Sequence, residues 1–401
     1  MSGRGVRGRQ ALTGRSIEIT TEGDVISSVQ TSAEGSDLWI SAGLIDLQVN
    51  GCLGLDLNGP ELTVETVSKL ARAMLATGVT TFVPTLITAS EEALVRRLAA
   101  IAEARGCDAV AAACIPYVHV EGPSISPRDG YRGAHPAEWV RPPSLAEFDR
   151  WQTACGNLVG MVTLSPHGSE SSEYITTLRE RGVHVSLGHS HASNAQIQAA
   201  IDAGASLSTH LGNGIAPQID RHPNPIWSQL ADDRLTACFI ADGHHLPAET
   251  LKAMVSAKGI ERSILVSDMV ALAGMTPGKY FAPVGGWVQL SSEGRLSMEG
   301  TSTLAGAVVP LLGCIGRAVR MTGLPLADVI AMATENPGRF VGRPGSRSHF
   351  GRLLPGERAD LIRFRWDAES SLATIEDVWL AGVPIDGAPS IRRRARSGDA
   401  S

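Results

Sequence analysis

The sequence predicts a (β/α)8 TIM barrel with a small β-sandwich domain formed by both chain ends. Three observations carry this. Eight apolar runs of strand length recur: "GLIDLQVNG", "GVTTFVPTL", "CIPYVHVEGP", "LVGMVTLSPH", "VHVSLGHS", "SLSTHLGN", "TACFIADGHH" and "SILVSDM". They are rich in Val, Ile and Leu, as strands buried on both faces must be. Helix-like segments such as "VETVSKLARAMLATG" and "PAETLKAMVSAKG" lie between them, and strand–helix alternation of this kind builds a parallel barrel. The flanks have a different texture. Short alternating runs without helical period fill residues 10–42 ("RSIEIT", "DVISSVQ") and return from about 345 ("ADLIRFRW", "IEDVWLAGVPI"). The expected division is residues 1–42 plus 345–401 for the small domain and 43–344 for the barrel.

Local signals support the individual elements. Ser144 with Glu147, and Ser193 with Gln196, have capping-box spacing at two helix starts. After the eighth run comes a long Gly-rich insert, "ALAGMTPGKYFAPVGGWVQLSSEGRLSMEGTST", expected to form a β-hairpin flap over the barrel mouth. There is no internal repeat and no low-complexity block.

Composition narrows the class. With 401 residues, the chain is long enough for one large domain or two unequal ones. It is 43% apolar, 19% charged and 4% aromatic, which excludes a disordered or membrane protein. Net charge is −6, so no nucleic-acid surface is expected. The basic ends "RGVRGR" and "IRRRARS" are expected to be solvated tails. None of the six cysteines forms a C-x-x-C pair, which points to reduced, mostly buried thiols and a cytoplasmic location. No apolar run follows the Arg-rich N-terminus and none reaches the ~18 residues of a membrane span, so neither a signal peptide nor membrane attachment is expected.

A barrel enzyme places its chemistry at the C-terminal ends of its strands. Here those ends carry Gln48 and Asn50, Glu121, His167, His189, His210, Asp242 with His244 and His245, and Asp268. Each alone has a structural explanation: a strand-end histidine is often scaffolding, and a strand-end aspartate is often a helix N-cap. Glu121, His189, His210 and Asp268 on four different strands are harder to explain that way. One Glu and two His make a three-ligand set for catalytic zinc, with the fourth position left for a water whose pKa falls towards ~7. Asp268 is then the proton acceptor that passes the proton to a leaving amine. His184 and His167 are read as structural, and His191, His222 and His349 as loop or surface residues.

These motifs resemble the N-acetylglucosamine-6-phosphate deacetylase family of the metal-dependent amidohydrolase superfamily. "GLIDLQVNGCLGLDLN", "HVEGPSIS" with "RGAH", "VTLSPH", "GHSHAS", "THLGNG", "IADGHH", "VSDMVALAG" and "LAGAVVPL" follow in family order, and "GRLLPGERADLIRF" resembles the return to the small domain. The resemblance implies that Glu121, His189 and His210 hold the metal and that Asp268 is the general base and acid. It implies that His135 contacts the substrate near its acetamide, and that Asn213, Gly214, His245, Leu304, Ala305 and Gly306 bind substrate. Arg221 falls where the family sends an arginine to the phosphate of the neighbouring subunit, which implies a homodimer.

The first strand has Gln48 and Asn50 where two-metal members carry His-x-His. Neutral amides hold divalent ions poorly. The expectation is therefore a vestigial second site and one divalent ion per chain, zinc. The implied reaction removes acetyl from N-acetyl-D-glucosamine 6-phosphate. Deacetylation of another N-acylated amino sugar and a non-catalytic barrel stay open as alternatives. The chain departs from the family at His167, where Glu is usual, at Gly212 and Gly214 in place of Tyr and Ala, and at Met269 and Val270 in place of small residues.

Overall fold

The computed structural model describes residues 5–345 and 349–385. Its centre is a parallel sheet of eight strands in chain order: Leu44–Val49, Val79–Ile87, Val118–Glu121, Val159–Leu164, His184–Leu187, Leu207–Ser208, Thr236–Ile240 and Ser263–Val266. Each falls on one of the eight apolar runs, the second reaching one residue past its run to Ile87. A parallel bridge between Val49 and Met269, and a 3.0 Å bond from the Asp268 amide to the Gln48 carbonyl, join the last strand to the first and close the barrel.

The helices coat this barrel through apolar stripes. Val64–Ala76 buries Val67, Leu70, Ala71 and Met74, the spacing of one helical face. Ser193 and Gln196 form the full reciprocal capping box. At Ser144 only half of it forms: Ser144 accepts from the Glu147 amide, while the Glu147 carboxylate turns to Arg141. A charged partner outcompetes the N-cap amide for that side chain.

The two ends of the chain meet in one seven-stranded sheet beside the barrel. Its order is Val383–Pro384, Leu372–Leu380, Leu361–Asp367, Trp39–Ala42, Val6–Gln10, Ser16–Glu22, Val25–Thr31. The seam is the antiparallel pairing of Leu361 with Ala42 and Phe364 with Trp39. Ile17, Ile19, Ile26, Ile40 and Leu361 form its core. The N-terminal basic segment is not a solvated tail. It supplies the strand Val6–Gln10, which turns Val6 and Gly8 inward and its arginines outward. Arg7 pairs with Glu18 and Glu34, and the Arg9 guanidinium sits 4.4 Å from the Trp39 ring centre. The alternation was hidden by charge: Arg7 and Arg9 mask a strand whose inward positions are small or apolar. The second basic segment, 391–397, lies outside the described residues, as do 1–4, 346–348 and 386–401 of the expected small domain.

The Gly-rich insert forms the expected hairpin and adds a third strand: Gly278–Ala282, Gly286–Leu290 and Leu296–Met298. Val288, Leu290 and Leu296 pack against Val270, Leu272 and Ala305, anchoring the flap to the segment that follows the eighth strand. Five of the six cysteines are buried, Cys107 is exposed, and all six are free thiols. No helix among the described residues is long and apolar enough to cross a membrane.

Candidate active site

Glu121 ends the third strand, and His189, His210 and Asp268 each stand two residues past the fifth, sixth and eighth. These last three adopt left-handed backbone, with φ of 48°, 28° and 48°. A non-glycine residue there costs ~1–3 kcal/mol and is held only where surrounding structure demands it. The same strained turn at three equivalent strand ends gathers side chains at the barrel mouth.

All three metal-ligand candidates are buried. Glu121 Oε1 lies 3.2 Å from His189 Nε2 and 3.0 Å from His210 Nε2, and the candidate ligand atoms lie within 4.8 Å of one another. His189 Nδ1 donates to the Tyr131 carbonyl at 3.0 Å. With Nδ1 bonded to that carbonyl, Nε2 is the ring atom left to face the Glu121 carboxylate, and in a neutral ring it would offer a lone pair to a cation bound beside that carboxylate. The donor set and its convergence thus fit a divalent cation. Among the described residues His210 has no such outer partner, since its Nδ1 is buried and unpaired. Burial alone would raise the Glu121 carboxyl; hydrogen bonds and charge from His189 and His210 outweigh it and hold it well below the usual carboxylate range. Burial lowers His210, but its bond to Glu121 prevails and raises it.

The vestigial pair from the first strand now has a use. Gln48 Nε2 donates to Glu121 Oε2 at 3.1 Å, and Asn50 Nδ2 donates to Asp268 Oδ1 at 2.9 Å. Both amides present N–H groups to carboxylates, so these nitrogens are not ligands. Asn58, which sequence reading passed over, sits behind them. Its Nδ2 bonds Asn50 Oδ1 at 3.4 Å and the Thr85 carbonyl at 3.0 Å. Asp268 is pushed up to about 6 by burial and by the Glu121 charge, against the pull of His210, His245 and Asn50.

Asp46 was also missed. It is fully buried, and its Oδ1 accepts from the amides of Gln48 at 3.3 Å and Ser267 at 3.1 Å, tying the first strand to the turn that carries Asp268. Burial pushes its carboxyl up to about 7. The folded state thus favours the neutral form. The stability this gives is complete below the unfolded pKa of ~3.9 and is lost as pH rises through about 7. Asp46→Asn keeps the acceptor and cannot ionise. Between about pH 4 and about pH 7, wild type is expected to lose stability relative to this variant by up to ~1.4 kcal/mol per pH unit, and to level off above about 7. Parallel melting-temperature profiles would refute the assignment.

Other expected residues divide. His135 is brought to the cluster, its ring 4.4 Å from that of His189, and Nδ1 is 2.9 Å from Thr88 Oγ1. Burial, then the neighbouring His189, pulls His135 down to about 3, so it is neutral. Thr88 was not singled out, although a polar residue just past the second strand is the usual signal. Gly133 and Gly214 press on His189: a Cβ on Gly214 would lie 2.8 Å from its Nδ1, and one on Gly133 3.2 Å from Cε1. Asn213 bonds back to the His210 carbonyl. Asp242, named only as a strand end, fixes His245, accepting from its Nδ1 at 2.8 Å. The Ala307 amide bonds the Asp268 carbonyl at 3.2 Å, which seats Leu304, Ala305 and Gly306 beside Asp268. Arg221 lies exposed on its loop, and among the described residues no contact joins it to the cluster.

His167 bonds Ser165 and its ring centre lies 4.5 Å from that of His191, which bonds Ser126. His184 Nε2 donates to the Gly342 carbonyl. Met269 and Val270 are buried, and a Cβ on Gly306 would meet Val270 at 2.4 Å.

A parallel barrel with a buried Glu–His–His cluster and an adjacent aspartate at its strand ends defines a metal-dependent hydrolase of the amidohydrolase type. Residues 39–388 match the model of the Amidohydrolase family, and the chain belongs to that family. Within it, the chain is 30% identical over 354 residues to the N-acetylglucosamine-6-phosphate deacetylase of Vibrio furnissii, covering 88% of this chain and 84% of that one. It is 31% identical over 344 residues to the N-acetylgalactosamine-6-phosphate deacetylase of Escherichia coli O157:H7, covering 84% and 85%. The structure is similar to a mutant N-acetyl-D-glucosamine-6-phosphate deacetylase from Mycobacterium smegmatis in complex with N-acetyl-D-glucosamine-6-phosphate. The TM-score is 0.84 at 28% identity, over 96% of this chain and 99% of that one.

Proposed function

We propose that this protein hydrolyses N-acetyl-D-glucosamine 6-phosphate to D-glucosamine 6-phosphate and acetate, using one zinc ion per chain held by Glu121, His189 and His210. The observation that carries this reading is the convergence of those three buried acceptors with Asp268 beside them. A cation held by these three residues would supply Lewis acidity and lower the pKa of water at the site. Asp268, oriented by Asn50, takes a proton from the attacking water and returns it to the departing nitrogen. A carbon–oxygen bond forms at the acetyl carbon and its bond to nitrogen breaks. Neutral His135 hydrogen-bonds the acetyl oxygen as negative charge develops. Asn213 and Gly214 receive the sugar phosphate; His245 and the Leu304–Gly306 segment line the sugar. The free thiols suit a reducing compartment, the cytoplasm.

Acetate release from a panel of N-acetyl sugars, gluco and galacto, with and without 6-phosphate, tests the reading. Relatives named for both epimers match at similar identity, so the panel includes both. Turnover confined to the galacto epimer would shift the substrate, and none from a metal-loaded protein would refute hydrolysis of this class.

Arg221 ties the reading to assembly. It lies in the Pro-rich loop "APQIDRHPNPIW", long for a barrel connection and exposed at Arg221. We place it on the substrate phosphate of a partner subunit in a homodimer. Arg221→Ala is then expected to raise KM for the 6-phosphorylated substrate ~10–100-fold, equivalent to ~1.5–3 kcal/mol, and to spare the unphosphorylated analogue. Mixing Arg221→Ala with Asp268→Asn chains should restore activity, because one site of the mixed dimer carries neither change. A strictly monomeric protein, or equal loss on both substrates, would contradict the placement.

A further inference from the structure

A second cavity lies across the barrel from this site, at the N-terminal ends of the third, fourth and fifth strands. It has a volume of about 640 Å³, within the range of small-molecule sites. Tyr117, Phe148 and Val183 are buried and give it an apolar floor. Arg105, Arg181 and Arg343 line it, against one acidic lining residue, Asp149.

Arg105 is the informative member. It is half-buried, its Nε donates to the Ile115 carbonyl at 2.8 Å, and it makes no ion pair among the described residues. Burial pulls its guanidinium below the ordinary value, with no acid nearby to offset it. Arg181 pairs with Asp149 at the rim and lies 5.8 Å from the Phe148 ring centre. Helix C-termini attract basic residues, which accounts for Arg105 and Arg181 at their helix ends. It does not account for a concavity of this volume, or for a half-buried cation left uncompensated inside it.

We propose that this cavity binds a small phosphorylated metabolite. A phosphate monoester carries −1.5 to −2 near neutral pH, which complements the lining, and guanidinium forks match its oxygens. The volume leaves room for an organic body against the apolar floor. The site is independent of the hydrolytic reading, since it uses none of the same residues.

The test is calorimetric titration of the metal-loaded protein with fructose 6-phosphate, with fructose and inorganic phosphate as separate arms. Wild type is expected to take up fructose 6-phosphate at a site that the double variant Arg105→Gln/Arg181→Gln weakens roughly tenfold or more, as loss of charge-assisted bonds does. Fructose should not bind there, and phosphate alone should bind more weakly. Deacetylase turnover of the double variant should be unchanged, which also shows that it folds. Should the double variant fail to fold, Arg105→Gln alone, read the same way, decides. Identical titrations of wild type and folded variant, or no uptake by wild type, overturn the proposal; binding of phosphate as tight as fructose 6-phosphate also overturns it, because the cavity then reads only an inorganic ion.

Discussion

Asp268→Asn is expected to retain its metal and lose ~10²-fold or more in turnover, the scale of a general base. The substitution preserves size, and its side-chain oxygen still accepts from Asn50 Nδ2, which lies 2.9 Å from Asp268 Oδ1. What it removes is the capacity to take a proton. Burial and the Glu121 charge set Asp268 at about 6, so the carboxylate is ionised at neutral pH and more basic than an exposed aspartate. That combination suits a group that must accept a proton and give it back. The measurement is kcat with metal content on the same preparation. Near-normal turnover would remove Asp268 from the chemistry. Loss of metal along with turnover would make it a ligand instead.

His189→Ala and His210→Ala are expected to fail differently, losing metal and activity together. Each removes one of three converging ligand atoms. The loss of metal affinity should exceed the ~10–100-fold cost of deleting an outer-shell partner. Elemental analysis of wild type purified without added metal should give close to one equivalent, because Gln48 and Asn50 point N–H donors at carboxylates where a second cation would need acceptors. Two equivalents would sink the one-cation reading. Metal retained by either histidine variant would mean that the cluster is not the metal's site.

Much of this site was legible in the sequence for a simple reason. In a parallel barrel, strand ends converge at one mouth, so Glu121, His189, His210 and Asp268 could be grouped without a structure. Residues that act by supporting them were harder to see. Asp46, Asn58 and Thr88 were not singled out from the sequence. Their roles depend on which backbone amide or imidazole lies opposite, and spacing does not encode that. The basic N-terminal segment failed for the opposite reason: its composition was informative about charge and silent about the pairing partner, Ser16–Glu22, that makes it a strand.

The sequence by itself determined the number and order of the barrel strands, the helices between them and the residues at their ends. These follow from local periodicity and from the distribution of Val, Ile and Leu. Only the tertiary structure decided what Gln48 and Asn50 do. As letters they are merely not histidine. In the fold, the curve of the barrel brings the Gln48 amide to 3.1 Å from Glu121 on the third strand, and closure of the first strand on the last puts the Asn50 amide 2.9 Å from Asp268. It was likewise the fold that turned His189, His210 and Asp268 through left-handed backbone to face inward. Hydrogen bonds between residues far apart in the chain set those directions, because a buried carboxylate must find its donors wherever the folded barrel places them.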